Sequence, residues 1–165
     1  MDKTKIKENT KKKLSNKKNT KIKNKNVKNV KNRKEEIEKL TDKWIDGVTK
    51  FNDPKKISKM FCNGGNLVGT KSQILRKGKQ IEGYFKYFAK LPKIRVVSKN
   101  YNISKVSDDN SVYLNTAFIK WTWEGLEKPI TARMTFLFKN NCIFQLHSSS
   151  LPNMSKKLLN VSGNV

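Results

Sequence analysis

The sequence predicts an α+β fold: a cone-shaped roll, three N-terminal helices packed on a strongly curved, mostly antiparallel sheet, in the order ααβαββββ. Three observations predict it. Apolar residues recur at helical spacing between Ile37 and Phe88. Strand-period alternation takes over from Ile94. Two apolar runs then flank Asn140-Asn141, a pair that tolerates the positive φ of a two-residue hairpin turn. The 165 residues suffice for one domain with a real core.

The first helix carries Ile37, Leu40, Trp44, Val48 and Phe51 on one stripe, with Glu35, Glu36 and Glu38 in its first turn, where the helix dipole favours negative charge. Asn52-Asp53-Pro54 ends it and begins a second, with Asp53 as N-cap and Pro54 at the first helical position. That helix is short, turns Ile57, Met60 and Phe61 inward, and stops at Asn63-Gly64-Gly65. Asn66 to Gly69 reads as a short strand, and Thr70 to Gly78 as a polar loop containing Arg76. A third helix places Ile81, Tyr84, Phe85 and Phe88 at i, i+3, i+4 and i+7 and ends at Leu91-Pro92.

Four strands complete the order. Ile94 to Ile103 is followed by a turn at Asp108-Asp109-Asn110. Ser111 to Trp123 puts Val112, Leu114, Thr116, Phe118 and Lys120 on one face and Tyr113, Ala117, Ile119, Trp121 and Trp123 on the other. Ile130 to Lys139 and Cys142 to Ser149 form the hairpin. A curved sheet closed on one side by helices leaves a cone whose mouth is a natural small-ligand pocket.

Composition bounds the function. Residues 1–33 hold 14 Lys/Arg against two acids, a net of +12 and half of the chain's +24. This lysine/asparagine-rich segment lacks aromatics and a sustained apolar face, so it reads as a disordered basic tail ahead of a domain over 34–153 and a C-terminal tail over 154–165. Residues 3–33 suit a salt-sensitive tether to nucleic acid or an acidic partner. Cys62 and Cys142 form no CxxC or Cys/His cluster, so neither a metal nor a cofactor is expected; the two are read as free buried thiols of a reducing compartment. No apolar run approaches a membrane span, and the N-terminus has no apolar signal core. The expectation is a soluble intracellular protein, cytoplasmic or nuclear.

Three stretches carry a family resemblance: Trp44 through Asp53-Pro54 to Phe61; LVGTKSQILRKGKQIEGYFKYF over Leu67 to Phe88; and ARMTFLF followed by LHSSSLP. Together they resemble the nuclear transport factor 2-like superfamily, and within it the SnoaL-like proteins and the association domain of calcium/calmodulin-dependent protein kinase II. The likeness spans about Lys34 to Asn153. Leu146-His147 stands where the family has a tandem histidine, and the lysine-rich tail has no counterpart. The resemblance implies a cone-shaped fold, a homodimer or higher homo-oligomer formed through the sheet, and a pocket. In some members that pocket does isomerase, dehydratase or cyclase chemistry, and in others it only binds.

Arg133 falls at the family's strand arginine and Arg76 at its loop arginine. Were Arg133 and His147 both to face the cone, they would make a cationic, hydrogen-bonding pocket floor for a small anionic ligand, since guanidinium holds carboxylate in a bidentate way; Arg76 and His147 are further ligand-binding candidates. Tyr84, Tyr113, Trp121 and Trp123 are candidate pocket walls. No G-x-S-x-G surrounds Ser148 to Ser150, so they form no nucleophile elbow. No acid is placed clearly inward, which disfavours carboxylate-driven proton transfer. The leading expectation is a ligand-binding or self-association domain. The alternatives are an isomerase- or dehydratase-type enzyme with His147 as base, and a nucleic-acid-associated protein acting through the basic tail.

Overall fold

The computed structural model describes residues 30–70, 72–109 and 111–150. The chain divides into two compact units, residues 1–36 and residues 37–165. Of the first, residues 30–36 are described; they are helical, and Arg33 is ion-paired with Glu36 at 2.5 Å. Most of the predicted basic tail and all of the predicted C-terminal tail lie outside the described residues. Residues 30–33, inside the stretch expected to be tail, are helical.

Helix α1 covers residues 30–46 and runs into a π-helical turn, Gly47–Phe51. The turn changes the phase of the apolar stripe. Ile37, Trp44 and Val48 are buried as expected, joined by Thr41 and Ile45, whereas Phe51 is swung out and exposed. Asn52 closes the turn in the left-handed region at φ 46°. Asp53 caps α2 (Pro54–Ser58), its carboxylate accepting the Lys56 N–H at 2.9 Å.

The sequence reading misplaced two elements near here. Phe61 starts a strand, β1 (Phe61–Val68), which continues through Asn63-Gly64-Gly65. The pairing register shifts between Phe61 and Asn66, so the glycines mark an irregularity within a strand and not its end. The polar loop also contains a strand, β2 (Leu75–Lys77), which pairs antiparallel with β1 and sets Arg76 opposite Leu67. Helix α3 (Lys79–Phe88) and strands β3 (Arg95–Lys105), β4 (Val112–Thr122), β5 (Ile130–Lys139) and β6 (Cys142–Ser150) follow the predicted order. Asn140, at φ 55°, makes the β5–β6 turn.

The sheet order is β2-β1-β6-β5-β4-β3, antiparallel except for the β1–β6 pair. Further register shifts interrupt β3 between Val96 and Ser98 and the β5–β6 pair between Leu137 and Phe138. Such irregularities sharpen twist and bend a sheet. The core lies against one face: Tyr113, Ala117, Ile119 and Trp121 from β4, Ala132, Met134, Phe136 and Phe138 from β5, and Ile143 and Leu146 from β6. Trp44 ties the layers together. Its ring meets Phe136 at 5.3 Å, Phe85 at 5.8 Å and Trp121 at 6.2 Å, all edge to face.

The parallel β1–β6 pairing sets Phe61 opposite Ile143, which brings the residues beside them, Cys62 and Cys142, to a Cα separation of 5.0 Å. They are joined in a disulfide, not free as expected. The sequence reading missed the bond because it did not foresee that pairing across 80 residues. The bond also removes the argument for a reducing compartment, which rested on free thiols. No helix among the described residues is long and apolar enough to cross a membrane.

Candidate functional site

A cavity of about 480 Å³ opens between α3, the β1–β2 segment and the ends of β4 and β5. Its walls are mostly aromatic. Tyr84, Tyr87 and Phe88 come from α3, where i, i+3 and i+4 spacing puts them on adjoining strips, Trp121 comes from β4, and Trp123 stands just beyond that strand's end. Tyr84 stacks on Phe88 at 5.7 Å, and Phe88 meets Trp121 edge to face at 5.9 Å.

Arg76 supplies the cationic group. Strand β2 carries it to the wall, where its guanidinium lies 5.0 Å over the Tyr84 ring. One terminal nitrogen donates to Ser72 Oγ at 2.9 Å and to the Ile74 carbonyl at 3.1 Å, which fixes the side chain from behind. No carboxylate is paired with Arg76 among the described residues. Tyr84 is held beneath it. Burial raises the phenol's pKa, partly offset by hydrogen bonds from Thr70 and by the Arg76 charge.

Of the residues singled out in the sequence, Arg76, Tyr84, Trp121 and Trp123 come together at this cavity. Tyr113 is fully buried in the core instead. Arg133 and His147 are elsewhere. Ala132, Met134, Phe136 and Phe138 take the inward face of β5, and alternation sends Arg133 to the other face, opposite Phe118 and Ser149. His147 pairs with Thr135 on that same outer face, and both Arg133 and His147 are exposed. The expected floor of Arg133 and His147 is therefore not part of this cavity. Neither Asp, Glu nor His is among its lining residues, and among the described residues no cluster of His, Cys, Asp or Glu could hold a metal.

Sequence reasoning missed Tyr87 and Thr70 in the pocket wall, and Ser148, the partner of Thr70. Ser148 is buried, and its hydroxyl lies 2.7 Å from that of Thr70. The signal was present: in a strand whose Ile143 and Leu146 are buried, Ser148 is the next inward position. The irregularity at Leu137/Phe138 hid it by breaking strict alternation.

No protein-family model matches the chain, and no curated protein sequence matches it. Solved structures do. A protein from Xanthomonas campestris assigned as a calcium/calmodulin dependent protein kinase II association domain is 24% identical, with a TM-score of 0.61, covering 72% of this chain and 88% of that one. A nuclear transport factor 2-like protein of unknown function from Pseudomonas putida KT2440 is 13% identical, with a TM-score of 0.62 over 74% and 89% of the two chains. The orange carotenoid protein of Anabaena (Nostoc) sp. PCC 7120, binding canthaxanthin, is 20% identical with a TM-score of 0.56; the match covers 71% of this chain and 36% of that one. With its helices followed by a six-stranded, mostly antiparallel curved sheet, the chain has the fold of the nuclear transport factor 2-like superfamily.

Proposed function

We propose that this chain is a small-ligand-binding domain whose cavity takes a molecule with a flat, apolar body and an anionic group. The observation that carries the reading is Arg76: a guanidinium on the wall of an aromatic cavity, braced by Ser72 and Ile74 and paired with no carboxylate among the described residues. A carboxylate beside it would gain a charge-assisted hydrogen bond, and flat apolar surface would stack on Trp121, Tyr84 and Phe88. Titrating the full chain with 2-naphthoate while following tryptophan fluorescence tests this. Arg76→Ala should weaken binding by roughly ten- to hundredfold. Undiminished binding to that variant, or no binding to the wild type, would sink the reading. His147 as a catalytic base inside this cavity finds no support, because it is exposed on the opposite face of the sheet.

Self-association through the outer sheet face is favoured by a separate observation. Phe118 is 46% exposed and Phe144 37% exposed there, on the face that also carries Arg133 and His147. Among the structures that share this fold, one is named for association and another for binding canthaxanthin. Phe118→Glu should lower the mass measured by light scattering; a wild-type chain that stays monomeric at high concentration refutes this part. Residues 1–33, at a net +12, are proposed as an electrostatic tether to nucleic acid or another acidic partner. Deleting them should abolish that binding, and salt should weaken it steeply.

A further inference from the structure

A second, much smaller space of about 10 Å³ adjoins the main cavity and shares Thr70, Tyr84, Phe88 and Trp121 with it. Its remaining walls include the core residues Leu67, Met134 and Leu146, so it lies on the interior side of the pocket. Trp44 and Ser148 line it as well. Trp44 is 2% exposed, and its Nε1, an obligate donor, has no acceptor among the described residues. Leaving such a donor buried and unmatched is unfavourable, because it has lost its hydrogen bonds to water and gained none. In the lining of the same space, Thr70 Oγ1 and Ser148 Oγ share one hydrogen bond of 2.7 Å, and hydroxyls can also turn a proton toward a neighbour. A space of this size admits roughly one oxygen atom.

We propose that the ligand carries a carbonyl oxygen at its inner end, which enters this space and accepts a hydrogen bond from Trp44 Nε1. The inference rests on the binding reading above and narrows it to a class. The ligand is a flat oxo-carboxylate, with its carboxylate at Arg76 and its carbonyl at Trp44. The indole N–H selects for an acceptor and against a hydroxyl-free hydrocarbon end, because only an acceptor relieves the buried donor. Ser148 and Thr70 are positioning residues: they line the same space, and Ser148 can turn its hydroxyl proton to the second lone pair of a carbonyl while Thr70 orients it.

A matched pair of probes tests it on the full chain: 6-acetyl-2-naphthoate and 6-isopropenyl-2-naphthoate. The two share carboxylate, ring and branched planar end, and differ by an oxygen replacing a methylene. By calorimetry the acetyl probe should bind about tenfold more tightly. Trp44→Phe should shrink the ratio of the two affinities below about twofold, whatever it does to each affinity alone. A loss of packing alone would weaken both probes together.

Should Trp44→Phe fail to fold, the wild-type indole N–H resonance of Trp44, assigned by elimination with Trp121→Phe and Trp123→Phe, gives the same answer. It should move downfield with the acetyl probe and not with the other. Equal affinities and an unmoved Trp44 resonance overturn the proposal, while Arg76-dependent binding of both probes would leave the cavity reading standing. Binding of neither probe overturns both.

Discussion

A Cβ placed on Gly69 would overlap the phenol of Tyr84, so the pocket wall is seated directly on a residue without a side chain. The ring can lie under Arg76 only because position 69 offers no methyl group. Gly69→Ala should therefore push Tyr84 into the cavity and destabilise the fold by about 1–3 kcal/mol, as overpacking does. Adding Tyr84→Ala to that variant should cost less than Tyr84→Ala costs in the wild type, giving a non-additive cycle in urea denaturation. Additive losses would show that the two positions do not interact.

Helix α1 is fastened to the sheet by one buried polar pair. Asn115 Nδ2 donates to Thr41 Oγ1 at 2.9 Å, and Thr41 Oγ1 donates to the Ile37 carbonyl at 2.9 Å. Both residues are fully buried, and Asn115 Oδ1 has no partner among the described residues. Thr41→Val should cost about 1–3 kcal/mol because it strands the amide. The double change Thr41→Val, Asn115→Leu should cost less than Thr41→Val alone, which thermal or urea unfolding will reveal.

A second α1–sheet contact titrates. Asp42 accepts hydrogen bonds from Lys99 Nζ and, at 2.6 Å, from the Tyr101 hydroxyl. Burial, and then the Asp42 carboxylate, push the Tyr101 phenol well above its ordinary range. The folded state thus keeps a proton that the unfolded chain releases near pH 10. Since stability falls with pH wherever the native state binds more protons, it should drop as pH rises above about 10. Tyr101→Phe should flatten that alkaline drop at a cost of about 1 kcal/mol at neutral pH. An unchanged alkaline slope in the variant would disprove the assignment.

Cutting the Cys62–Cys142 bond should destabilise the domain by about 4.5 kcal/mol, the chain-entropy value for a loop of this span. Cys62→Ser with Cys142→Ser should unfold at lower urea than the oxidised wild type and be indifferent to dithiothreitol. A wild type equally indifferent to the reductant would contradict the bond.

Much of the fold was legible because its signals are local. The α3 spacing of Ile81, Tyr84, Phe85 and Phe88, the Asp53-Pro54 helix start, the two faces of β4 and the Asn140-Asn141 turn are each written within a dozen residues. The misreadings are non-local or come from broken periodicity. Strand β2 is three residues long and gains its definition from pairing with β1. Phe51 left the helical stripe because a π turn changed its phase. At the site, Arg76, Tyr84, Trp121 and Trp123 could be named from spacing and resemblance, whereas Tyr87 was not named and Tyr113, named with them, lies in the core. Alternation correctly separated Arg133 from Met134 and Phe136, but which set faced inward is decided by burial, and burial put the apolar set inside.

Because the covalent bridge joins the first long strand to the last, the polypeptide from Cys62 to Cys142 is a closed ring containing α3, Arg76 and every aromatic wall of the cavity. A protease that nicks this ring once, for example at the exposed Glu127-Lys128 step, yields no free fragment. Both pieces stay tethered at the far edge of the break, and the pocket can outlive the continuity of its own backbone. They separate only when a reductant opens the ring.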